Sequence, residues 1–126
     1  MPSLNLIPLR TLDILTNILG GGMSSRLFKS VRSEGGQVYN IFSKFSHFKT
    51  FGHLTIFTQT RFISLLNTYR LIHQELDRIS NHTITKEELL SAKPYYMGKI
   101  PLSFESPADI ADNLLYYDYH GFNILD

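Results

Sequence analysis

Apolar positions along this chain change period repeatedly, and each change marks an element. After Pro8, residues Leu9, Leu12, Leu15, Ile18 and Leu19 recur at helical spacing with Ile14 beside them, and the pattern stops at Gly20-Gly21-Gly22. Ser24 or Ser25 is placed to cap a second, short helix whose buried face is Leu27, Phe28 and Val31, closed by Gly35-Gly36. From Val38 to Phe48 the period becomes two. Tyr39, Ile41, Ser43, Phe45 and His47 point one way, and Val38, Phe42 and Phe48 the other. After a turn at Lys49-Thr50-Phe51-Gly52, Leu54, Ile56 and Thr58 alternate with His53, Thr55 and Phe57 in a second strand. Such a pair of runs predicts an antiparallel hairpin.

Helical spacing then returns. Phe62, Leu65, Leu66, Tyr69, Ile72, His73, Leu76 and Ile79 form one stripe that closes at Ser80-Asn81-His82. Thr85-x-x-Glu88 is a capping box, and the helix it starts carries Leu89, Ala92, Tyr96 and Ile100, with a kink expected at Pro94. Ser106-Pro107-Ala108-Asp109 opens a last helix through Ile110, Leu114 and Tyr117 to Gly121. The order predicts an α+β fold: one antiparallel β-hairpin packed against four to five helices, in a single partial domain spanning 1–126. A two-stranded hairpin is only marginally stable alone, and this one carries large apolar residues on both faces. The reading is an incomplete sheet whose outer face and edges want partners.

Composition narrows the functions. The formal charge is +1, which gives no field to recruit nucleic acid, and the chain has no cysteine, which excludes disulfides and thiolate metal sites. The first residues lack a basic leader, and no apolar run reaches the roughly 20 residues a membrane helix needs. The expectation is a cytoplasmic chain, or a periplasmic one if a targeting segment is missing.

Catalytic patterns are sparse. The histidines are His47, His53, His73, His82 and His120, none within five residues of another, so no helical zinc pair of the H-x-x-E-H kind exists. Glu87-Glu88 falls in a first helical turn, where the helix dipole favours negative charge. The glycine run lacks a phosphate-loop pattern and follows a helix rather than a strand, so close helix packing is its simpler role. Arg32, at the end of the short helix, and Tyr39, at the start of the strand, are separated by a glycine turn. That arrangement can bring a guanidinium and a phenol to one rim, where they could hold a peptide carbonyl or carboxylate. A surface arginine and a half-buried tyrosine are the plainer alternative.

Ile18-Leu19-Gly20-Gly21-Gly22-Met23-Ser24-Ser25-Arg26-Leu27-Phe28, followed by Val31-Arg32, Glu34, Gly36 and Tyr39, resembles the pitrilysin, insulinase and mitochondrial-processing-peptidase superfamily of zinc metallopeptidases. It is most similar to the "inactive" second domain of the bacterial members. The likeness continues through Gly52-His53-Leu54, Thr85-Lys86-Glu87-Glu88-Leu89, Ala92-Lys93 and Glu105-Ser106-Pro107. It implies the second half of an α/β domain that closes with a zinc-bearing domain around an extended peptide. By the same resemblance, Arg32 and Tyr39 match the family's substrate-binding pair, and Gly20, Gly21 and Gly22 match its glycine run beside the chamber. Gly35, where a charged residue is usual, and Pro94, where the family helix continues, depart from the pattern.

The resulting expectation is a truncated, zinc-free half-domain, inactive alone, with no cofactor of its own and zinc only in a partner. It would contribute peptide binding to a zinc-bearing peptidase subunit, or pair with a second copy through the hairpin. The alternative is a purely structural or interaction module, or a gene remnant, in which Arg32 and Tyr39 do nothing.

Overall fold

Hydrophobic patterning and end signals produce the expected elements in the expected order. A computed structural model of the chain describes residues 9–34, 36, 38–48 and 50–121. Helix α1 (Leu9–Gly20) leads through the glycine run to a π-helix over Phe28–Glu34. Strands β1 (Val38–His47) and β2 (Gly52–Thr60) follow, then a 3-10 turn at Phe62–Ser64 and helix α2 (Leu65–Asn81). Helices α3 (Lys86–Leu102) and α4 (Pro107–His120) complete the described part. Its sheet is the antiparallel pair β1–β2. The fold is α+β, as expected.

The ends of these helices follow from local chemistry. Thr85 Oγ1 accepts from the Glu88 N–H at 3.2 Å while Glu88 Oε2 accepts from the Thr85 N–H at 2.9 Å, the reciprocal box the sequence announces. Ser106 and Asp109 repeat it at α4, which ends on Gly121 at a φ of 69°. Helix α3 runs as one element with both Pro94 and Pro101 inside it.

The core lies on one face of the hairpin. Leu19, Leu27, Val31, Val38 and Ile41 form its buried centre, with Ile56, Leu71, Ile72, Leu76 and Ile79 packed around it. Helix α1 comes close to β1 because its last residue has no side chain. A Cβ on Gly20 would lie 2.7 Å from both the backbone N and the Oγ of Ser43, and Ser43 Oγ donates to the Thr16 carbonyl at 2.8 Å. The glycine run therefore does serve close helix packing.

Two expectations fail. Tyr39 does not share a face with Ile41. The register steps between Val38 and Asn40, where Val38 pairs with Thr60 and Asn40 with Gln59, so Tyr39 is an extra residue in a β-bulge. The inserted residue puts Val38 and Ile41 together in the core and turns Tyr39 outward, 67% exposed. The stripe on α2 is also turned inside out at its start. Ser64, Thr68 and Glu75 are buried, while Phe62, Ile63 and Leu66 are 93%, 88% and 83% exposed. Ile72, Leu76 and Ile79 keep the expected inward face.

Glycine positions give a direct test of this packing. Gly20→Ala should destabilise the protein by about 1–3 kcal/mol, because a backbone atom of β1 must yield. Gly98→Ala, in α3 with nothing within 4 Å of the added Cβ, should stabilise it by about 0.5–1 kcal/mol. Urea denaturation of the two variants checks both signs.

Candidate functional site

The corner between α1 and β1 is built from backbone exceptions. Past Gly20, the Gly21 N–H bonds the Asn17 carbonyl at 2.8 Å, and a Cβ on Gly21 would collide with Asn17 itself. Ser25 is buried and uses its hydroxyl twice, donating to the Gly22 carbonyl at 2.6 Å and accepting from the Phe28 N–H at 3.4 Å. The segment that follows is not an ordinary short helix. It winds as a π-helix, a rare form that tends to occur at functional sites. Leu27 and Val31 are fully buried beneath it, as the sequence predicts. Phe28 is only half-buried and turns toward Arg32.

Gly36 ends this segment. Its N–H bonds the Arg32 carbonyl at 3.1 Å, and its φ of 56° is a left-handed conformation that glycine adopts without strain. Arg32 on one side of the turn and Tyr39 on the other are both exposed. The Arg32 guanidinium carbon lies 4.8 Å from the centre of the Phe28 ring. Among the described residues, no oxygen accepts a hydrogen bond from that guanidinium, and none pairs with the Tyr39 hydroxyl. Both polar heads are available to a ligand.

Behind the corner sits an ion pair that sequence reasoning missed. Arg26 Nε donates to Glu88 Oε1 at 2.5 Å and Nη2 to Oε2 at 2.9 Å, in a fork across 62 residues of sequence. The signal was there in part, since both residues fall in motifs already singled out for other reasons. The Arg26 hydrogen bonds hold the Glu88 carboxyl down to about 2 against desolvation, with help from Thr85. Glu75, buried on α2, adds its field to Arg26 and takes a hydrogen bond from Arg78 Nη1 at 2.7 Å. Between the glycine run and α3 lies a cleft of about 250 Å³, lined by Gly21, Gly22, Ser24 and Lys29 on one wall and by Glu87 and Tyr95 on the other. On the far side of α1, Tyr96 Oη donates to Asp13 Oδ2 at 3.2 Å, and burial, then Asp13, pushes the phenol up to about 12.

The family of the peptidase M16 inactive domain matches residues 4–94. The chain belongs to this family. An uncharacterised zinc protease of Bacillus subtilis, YmxG, is 38% identical over 75% of this chain and 23% of its own length. A non-peptidase homolog of Helicobacter pylori is 29% identical over 86% of this chain and 25% of its own. A crystal structure of a peptidase M16 inactive domain from Pseudomonas fluorescens superposes with a TM-score of 0.79 and 27% identity, covering 92% of this chain and 28% of that one. The chain thus spans about a quarter of the length of these relatives.

Several relatives are named zinc proteases, and the described residues here do not fit a zinc site. Among the described residues no three His, Asp or Glu side chains converge. His47 and His120 do meet, with ring centroids 4.7 Å apart, although the sequence separates them widely. Both His47 ring nitrogens are buried without a hydrogen-bond partner. Among the described residues no helix is long and apolar enough to cross a membrane.

The Arg26–Glu88 pair makes stability depend on pH in a set direction. Glu88 binds a proton less readily folded than unfolded, so its contribution is complete above about pH 4.5 and is lost as pH falls toward about 2. Glu88→Gln keeps the capping box but removes the charge. It should cost about 2–3 kcal/mol at pH 7 and flatten that part of the acid limb in denaturant titrations run from pH 7 to 2.

Proposed function

We propose that this chain is the zinc-free wall of a peptide-binding chamber in an M16-type peptidase, with Arg32 and Tyr39 as its substrate-binding groups. A zinc-bearing peptidase chain would supply the cleavage, and this chain would be inactive alone. The observation that carries the reading is the paired irregularity of the backbone. Arg32 lies on a π-helix and Tyr39 in a β-bulge, and the bulge turns outward a side chain that regular alternation would place with Ile41. Among the described residues neither side chain makes a hydrogen bond or an ion pair. A guanidinium fork and a phenol are suited to peptide oxygens, the first giving two parallel hydrogen bonds and the second one.

The exposed surface supports a partner. Phe42 and Phe57 stack at 4.9 Å on the outer face of the hairpin, and the 3-10 turn and first turn of α2 present Phe62, Ile63 and Leu66 to solvent. A zinc-bearing peptidase chain or a second copy meeting the hairpin would cover part of this area. The same apolar face favours the second reading, a purely structural or interaction module in which Arg32 and Tyr39 are idle. The name of the Helicobacter pylori relative, a non-peptidase homolog, is compatible with both.

Peptide affinity separates them. Binding of a fluorescein-labelled unstructured peptide, followed by anisotropy, should weaken about tenfold or more in Arg32→Ala and about two- to tenfold in Tyr39→Phe. Unchanged affinity in both leaves the interaction module. Stoichiometric zinc with chelator-sensitive hydrolysis by this chain alone would overturn both readings.

A further inference from the structure

We infer that Phe28 is the positioning residue for Arg32, and that it restricts the ligand there to one that approaches the guanidinium edge-on with a pair of oxygens. The inference rests on the reading of Arg32 as a substrate-binding group. Arg32 is a long, exposed side chain with no ion pair or hydrogen bond to the described residues. In that situation an arginine samples many rotamers, and binding a ligand must order it, at a cost in affinity. Here the guanidinium carbon rests 4.8 Å from the centre of the Phe28 ring, four residues earlier on the same π-helix.

The ring can act as a platform because its own segment is fixed. Phe28 follows fully buried Leu27, its N–H is bonded to the buried Ser25 hydroxyl, and Val31 is locked beneath the next turn. The Arg32 carbonyl is held in turn by the Gly36 N–H. Both ends of the stack are therefore anchored in backbone, and the guanidinium is held against the ring by its quadrupole. A guanidinium that stacks flat on such a ring keeps its in-plane N–H fork for a ligand. A carboxylate, or two neighbouring carbonyl oxygens of an extended peptide, matches that fork.

Two measurements test this on the whole chain. In the proton NMR spectrum the Arg32 Nε–H resonance should lie upfield of an unstacked arginine and move downfield in Phe28→Leu. A resonance at the unstacked position in the unmodified protein overturns the inference without any variant. In the anisotropy assay with the fluorescein-labelled peptide, Phe28→Leu should weaken binding about two- to fivefold, while Phe28→Trp retains both the affinity and the upfield resonance. Arg32→Lys should lose more than Phe28→Leu, because the charge stays and the fork is gone. Full affinity in Phe28→Leu, with affinity lost in Arg32→Ala, overturns the role of Phe28 and leaves the reading of the site standing. Unchanged affinity in Arg32→Ala overturns that reading and this inference together.

Discussion

The fork of Arg26 on Glu88 ties the corner after the glycine run to the start of α3, at the other end of the contact that Tyr96 and Asp13 make between α3 and α1. Arg26 stands where the glycine run turns into the π-helix, and Glu88 stands in the first turn of α3. With side chains 14% and 22% exposed, the pair is largely withdrawn from water. A pair in that environment gives little net stability over an apolar pair of the same shape, but losing one partner strands a charge and costs several kcal/mol. Its value here is positional. The same carboxylate that receives Arg26 also closes the capping box on Thr85, so the start of α3 and the path of the corner are set by one group. Gly20 against Ser43 then fixes α1 on the strand, and the segment carrying Arg32 has little freedom left.

Helix α2 divides its polar and apolar residues in an unusual way. Its inner side buries Thr68 and Glu75, and both are satisfied: Thr68 by Thr60 at 3.3 Å, Glu75 by Arg78 and the field of Arg26. Polar residues that meet partners inside are no defect. Large apolar residues face water at Phe62, Ile63 and Leu66, and the described residues do not cover them. A helix preceded by such residues and polar on its inner side suits a place between two layers, which agrees with the proposed partner. The stacked Phe42 and Phe57 on the outer side of the hairpin point to the same need.

The legible parts of the sequence were those governed by local chemistry. The capping box at Thr85, the helix start at Ser106, the glycine ends at Gly20 and Gly121, and the two-stranded hairpin each depend on a few neighbouring residues, and each stands in the structure as the sequence predicts. The beginning of the stripe, at Phe62 and Leu66, does not follow, because periodicity reports that an apolar side exists and not which layer it meets. Tyr39 was misplaced for a sharper reason. A bulge adds one residue and reverses parity, and nothing in Val38-Tyr39-Asn40 announces it. The Arg26–Glu88 fork and the His47–His120 contact were invisible as pairs because they form only once distant elements dock. Arg32 and Tyr39 stood out through the family motif, while the ring under Arg32 was counted as core.

The irregular backbone at the corner is what separates binding geometry from ordinary packing. A regular strand would have sent Tyr39 inward with Ile41 and left Val38 facing out, giving a better paired edge and no phenol at the surface. A regular α-helix would have carried i to i+4 bonds through the whole of Phe28–Glu34, where the bond from the Gly36 N–H to the Arg32 carbonyl closes the segment. The bulge takes Tyr39 out of the β-ladder, and both departures adjoin the core cluster of Leu27, Val31 and Val38. That proximity is the physical condition for such departures to persist, since the surrounding core must over-determine them. On the proposed reading, a peptide meeting Arg32 and Tyr39 would find the π-helix and the bulge already set by that core.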